Sequence, residues 1–151
     1  MPDFVIADAS VLIIFDKLEC IDILQKIYQN IFTTPEISQE FNKPLPEWIK
    51  IESIQDQKYL KFIRTRVDLG EATAIALAAE KDNPLLILDD LKARKLAKQL
   101  GMKITGTLGV INKAKELGII EKVKPLVDQL KETDFRISEN VIGNLLKRNG
   151  E

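Results

Sequence analysis

Two short runs constrain the fold more than anything else in the chain: FVIA, Phe4 to Ala7, and LLIL, Leu85 to Leu88. Each is wholly apolar, stops at an acid, and is followed by a segment of helical spacing. A strand with one wet face alternates apolar and polar residues. A run without alternation has to be buried on both faces, as in a parallel sheet covered by helices. FVIA ends at Asp8, with Ser10 placed to cap a helix beginning at Val11. LLIL ends at the adjacent carboxylates Asp89 and Asp90, either of which is placed to cap a helix beginning near Leu91.

The segments between repeat the alternation. Cys20 to Tyr28 has helical apolar spacing, and IFTT, Ile31 to Thr34, is rich in β-branched residues and reads as a strand. PEISQEF then suits a helix, because Pro35 loses nothing in a first turn and Glu36 favours the dipole there. WIKIESI alternates as a strand would, a polar helix is predicted from Gln55 to Val67, and Gly70 breaks the pattern before the alanine-rich helix GEATAIALAAEK. Met102 to Thr105 reads as a further strand, with Thr107 as the cap of the next helix. Two more helices are predicted around Val123 to Lys131 and Glu139 to Lys147. The second carries Val141, Ile142, Leu145 and Leu146, expected to face the core by default and a dimer partner otherwise. Repeated strand and helix imply an α/β fold with a parallel sheet and helices on both faces. A length of 151 residues predicts one domain, 1–151.

Composition excludes much chemistry. There are no histidines, which removes Ser-His and Cys-His nucleophiles, histidine bases and the usual zinc ligand sets. Cys20 is the only cysteine, so no intrachain disulfide forms; this fits a reducing compartment, and a cytoplasmic location is expected. No apolar run suggests a membrane, and the opening MPDFVIADAS lacks the pattern of a signal peptide. GTLG, Gly106 to Gly109, is not a phosphate-loop fingerprint, so nucleotide binding is not expected. A net charge of -1 supplies no global pull on nucleic acid, which then requires a local patch or a bound cation.

What remains is carboxylate chemistry. In an open parallel sheet, sites form outside the carboxyl ends of the strands. Asp8 and the pair Asp89 and Asp90 stand at two such ends, with Glu40 and Glu71 on helices whose starts lie near the same rim. Converging carboxylates without histidine or cysteine match hard cations, Mg²⁺ or Mn²⁺. Each acid also has a plainer reading. Asp8 terminates a strand or caps the next helix, Glu40 is solvated, Glu71 complements a helix dipole, one of Asp89 and Asp90 is a cap, and Asp68 is a loop residue by default and otherwise joins the metal shell. Of the basic group Lys92, Arg94, Lys95 and Lys98, mainly a solvated face, Arg94 and Lys95 stand close enough to hold a phosphodiester. The hydroxyls of Ser10 and Thr107 are caps first, and otherwise hold a water or a phosphate.

VIADAS, PEISQEF, LGEATAIALA and LLILDDLKARKLAKQLG, in that order and at that spacing, resemble the motifs of a PIN domain. The segment from Ile104 to Ile111, ITGTLGVI, is similar to the end of a prokaryotic PIN-like subgroup. The resemblance spans nearly the whole chain. It implies a three-layer α/β/α sandwich with a central mostly parallel sheet, and Mg²⁺- or Mn²⁺-dependent ribonuclease activity. It also implies a toxin role beside a small antitoxin protein, and a homodimer. Carried over, Asp8, Glu40, Glu71 and Asp90 are the metal-binding and catalytic acids, with Asp89 an additional ligand and Ser10 a hydroxyl behind them. Two departures stand out: Glu71 replaces the more usual aspartate, and Leu88 stands where many relatives have threonine or serine. Two other classes compete. One is a PIN-like interaction or regulatory module with little or no cleavage. The other is a phosphoacceptor switch, against which the order of the acids argues, since the pair comes late here and the lone aspartate early.

Overall fold

The computed structural model describes residues 2–151. Among the described residues five parallel strands form one sheet in the order β3-β2-β1-β4-β5. They are β1 (Phe4–Ala7), β2 (Ile31–Thr33), β3 (Ile49–Ile51), β4 (Pro84–Ile87) and β5 (Lys103–Thr105). Among the described residues nine helices accompany them, giving the three-layer α/β/α arrangement with an all-parallel sheet. Before β4 come α1 (Ala9–Lys17), α2 (Asp22–Tyr28), α3 (Pro35–Phe41), α4 (Gln57–Arg64) and α5 (Leu69–Ala79). After it come α6 (Leu91–Gln99), α7 (Thr107–Glu116), α8 (Lys124–Lys131) and α9 (Glu139–Arg148).

The two apolar runs are the central strands, as their lack of alternation requires. Val5, Ile6, Ala7, Leu86, Ile87 and Leu88 are all buried. β1 and β4 pair in register, Ala7 opposite Ile87, so the chain leaves both strands at the same level. The Asp8 N–H donates to the Ile87 carbonyl at 3.0 Å, and the Leu88 N–H to the Thr105 carbonyl at 2.9 Å. The chain leaves β1 toward β2 and β3, and later returns to β4 and β5 on the other side. The carboxyl ends of β1 and β4 thus flank a switch point, where such sheets open a crevice.

Several boundaries differ from the sequence expectation, each for a physical reason. Helix α1 starts at Ala9, because Asp8 has extended backbone and the Leu12 N–H closes the first turn on its carbonyl at 3.2 Å. Ser10 therefore lies inside the helix and is not its cap. Gly70 does not break a helix; it is buried in the first turn of α5. Gly106 holds the cap position of α7, with Thr107 the first helical residue. WIKIESI shrinks to the three residues of β3, an edge strand whose Ile51 is exposed. In α9, Ile142 and Leu145 join the core and Leu146 packs against it, while Val141 is exposed.

Helix α5 is buried almost all round and packs against β1, β4, α3 and α4. Alanine along GEATAIALAA lets it sit close to the sheet while remaining a strong helix former. The buried apolar side chains form one continuous cluster reaching from β1 to α9. Among the described residues no helix is long and apolar enough to cross a membrane.

Candidate active site

Asp8 follows β1 directly and is 4% exposed. Its side chain does not cap α1; its Oδ2 accepts from the Ser10 hydroxyl at 3.2 Å. Burial pushes its carboxyl up to about 6, against the relief of the Ala9 N–H and the Ser10 hydroxyl, with the charges of Glu40 and Asp89 adding to the rise. Glu71, in the first turn of α5 and half-buried, is pushed up to about 7, by burial first and then by Asp90, Asp8 and Asp68. These couplings bring Asp8, Glu40, Glu71, Asp89 and Asp90 into one electrostatic neighbourhood from four separate stretches of chain. Asp68 belongs to it as well.

Glu40 is exposed, in the last turn of α3, and its carboxylate lies over Gly70, occupying the space where a Cβ would stand. Glycine at this position thus leaves the room in which the end of the Glu40 side chain lies against the start of α5. Beneath them runs a chain of threonine hydroxyls absent from the sequence expectation. Thr34 Oγ1 accepts from the Ile37 N–H at 3.2 Å and caps α3. It lies 2.7 Å from Thr73 Oγ1, which donates to the Gly70 carbonyl at 2.7 Å. Next to it, Thr33 Oγ1 donates to the Ala7 carbonyl at 3.1 Å. Thr33, Thr34 and Thr73 are fully buried, so these bonds tie the ends of β1 and β2 to the starts of α3 and α5. The signal in the sequence was IFTT followed by Pro35, a cap before a proline-led helix.

The adjacent aspartates have different surroundings. Asp90 caps α6, its Oδ2 accepting from the Ala93 N–H at 2.9 Å, and is exposed. Both oxygens of Asp89 are engaged by Thr107: Oδ1 accepts the N–H at 2.8 Å and Oδ2 the hydroxyl at 2.6 Å. Asp89 thereby fastens the end of β4 to the start of α7, and Thr107 faces Asp89 where a cap had been expected. Arg94, expected to reach substrate, turns inward: its Nη1 donates to the Leu88 carbonyl at 3.0 Å. Asp89 and Arg94 both crowd Gly106, at 2.5 and 2.6 Å from where a Cβ would stand.

Among the described residues no ion pair reaches Asp8, Glu40, Glu71, Asp89 or Asp90. The donor set is all carboxylate, which fits a hard divalent cation. As placed, no three His, Cys, Asp or Glu side chains among the described residues stand close enough to hold one ion.

Cations line the outer side of the acids. A cleft of about 260 Å³ is bordered by Glu71, Asp90 and Asp68 together with Arg64, Arg66 and Lys92. Lys95 lines an adjoining cleft. Arg64 and Arg66 were not among the expected site residues, because they belong to the end of a polar helix and the turn after it, with no motif to mark them.

No curated protein matches the chain significantly. A family model described as DUF3368, PIN domain, matches residues 4–151. PIN domains are generally nucleases and usually use divalent metal ions. Matched over nearly its whole length, the chain belongs to the PIN domain family.

Proposed function

We propose that the chain is a Mg²⁺- or Mn²⁺-dependent ribonuclease in which Asp8, Glu40, Glu71 and Asp90 hold the metal and carry the reaction. One observation supports this above the rest: Asp8 and Glu71 are raised by burial and by each other's neighbours, with no cationic side chain paired to either. A fold keeps such a cluster against its own repulsion when something positive binds there.

When bound, the cation supplies Lewis acidity toward a phosphoryl oxygen and the water nucleophile. Asp8 offers a buried oxygen oriented by Ser10, and Glu40 reaches in over Gly70. Asp90 keeps one oxygen beyond its bond to the α6 N-terminus. Asp89, occupied by Thr107, acts here by holding the β4 end in place. RNA in single strands or loops is the favoured substrate, since a flexible strand enters a crevice at a sheet edge. The resemblance to toxin components extends the reading to a toxin with a small antitoxin partner, acting in the cytoplasm as a homodimer.

The experiment is cleavage of a mixed RNA pool by wild type and by the Asp8→Asn, Asp90→Asn double variant, with Mn²⁺, with Mg²⁺ and with excess chelator. Cleavage that needs metal and is lost in the variant supports the reading. Cleavage that survives in the variant refutes the site. A second reading is a PIN-like interaction module, to which the present spacing of the acids among the described residues is no obstacle, and absence of cleavage in either metal would support it.

A further inference from the structure

The cleft beside Glu71 and Asp90 does not end at the acids. Arg66, Val67 and Lys92 border both it and a second cleft of about 210 Å³, which continues to Lys95 and Gln99. Lys92, Lys95 and Gln99 stand three and four positions apart on α6, so one helix face forms the wall of a continuous groove. Arg64, Arg66, Lys92 and Lys95 are exposed, and among the described residues none of them is in an ion pair. Arg94, on the same helix, is turned away to the Leu88 carbonyl. Asp68, Glu71 and Asp90 line the first cleft, whereas the second carries Arg66, Lys92 and Lys95 and no acid, so in a chain of net charge -1 the groove turns from acidic to basic along α6.

We propose that this groove is the binding track for the sugar-phosphate backbone of a single-stranded RNA, leading the strand from the acids along α6. The choice of RNA rests on the nuclease reading; the track itself rests on the groove. Among the described residues no aromatic side chain lines either cleft, so the contacts go to phosphates rather than to stacked bases. Binding along the track is therefore indifferent to base sequence and strongly dependent on salt.

The test is fluorescence anisotropy of labelled oligo(U) and oligo(A) on the full chain in excess chelator, so that no strand is cut, over a range of salt. Each phosphate contact on a single strand contributes roughly 0.7 to the slope of log K against log salt. The Arg66→Gln, Lys95→Gln variant is expected to lower the slope by about 1.4, equally for both oligomers. A Lys122→Gln, Lys131→Gln control, which removes two exposed cations lining neither cleft, is expected to leave it unchanged. An unchanged slope in the groove variant, an equal fall in the control, a fall in only one oligomer, or no binding by wild type each overturns the proposal. Unfolding midpoints check the fold, and if the double variant does not fold, Lys92→Gln alone is read, with an expected loss of about 0.7. The two readings fail separately. RNA cleavage with an unaltered slope removes the track and leaves the nuclease, whereas the expected slope without cleavage in any metal leaves the track and removes the nuclease.

Discussion

Replacing Asp8 by asparagine is expected to make the metal-free protein more stable at neutral and alkaline pH. Asp8 is 4% exposed, and its carboxyl rises from its ordinary 3.8 to about 6 in the folded chain. An acid whose folded value is raised holds its proton more tightly folded than unfolded. Its ionisation therefore destabilises the fold, beginning as pH passes the unfolded value and complete above the folded one. A rise of about two units corresponds to about 3 kcal/mol at 1.36 kcal/mol per unit, and coupling to Glu40 and Asp89 makes ~1–3 kcal/mol the working range. Asparagine removes the charge and keeps one acceptor oxygen, to be shared by the Ser10 hydroxyl and the Ala9 N–H, which places the gain toward the lower end of that range. The assay is urea unfolding of both proteins in chelator at about pH 4 and about pH 8. At the higher pH the variant gains ~1–3 kcal/mol, or roughly 3–10 °C in Tm; at the lower pH the difference nearly vanishes. Adding Mg²⁺ or Mn²⁺ is expected to stabilise wild type and not the variant. A variant less stable than wild type at the higher pH in chelator would refute the reasoning, since the carboxylate would then be serving the fold.

Three further outcomes follow from the same geometry. In Gly70→Ala the added Cβ takes the place of the Glu40 carboxylate, so metal-dependent cleavage falls; alanine's helix propensity, better by about 1 kcal/mol, keeps the thermal midpoint at or above wild type. Thr107→Val removes a hydroxyl donor to a charged acceptor and is expected to cost about 1.5–3 kcal/mol in urea unfolding, loosening α7 from the end of β4. Thr73→Val leaves the Thr34 hydroxyl and the Gly70 carbonyl without their buried partner, with an expected loss of about 1–3 kcal/mol by the same measurement; no loss would show that the hydroxyl chain does not hold α3 to α5.

Much of the fold was legible because its signals are local. FVIA and LLIL lack alternation, which dictates strands buried on both faces, and Pro35 and the alanines of α5 mark helices by their own backbone and side-chain preferences. Order along the chain then limits the sheet to parallel connections. The acids too were visible, because a carboxylate placed directly after a buried strand points to the sheet's carboxyl edge. What the sequence could not decide were the partners of each group across the fold. Asp89 and Asp90 are neighbours in the chain, yet one is committed to Thr107 and the other to the N-terminus of α6, a difference set by where α7 returns beside β4. Arg94 and Lys95 are likewise adjacent, but one bonds inward to Leu88 and the other faces a groove shared with Arg66. Gly70 looked like a helix breaker until α3 was laid across it with Glu40 above. Local propensity and patterning are written residue by residue, whereas desolvation, charge coupling and hydrogen-bond partnership depend on segments far apart in sequence. Only the packed structure sets those distances.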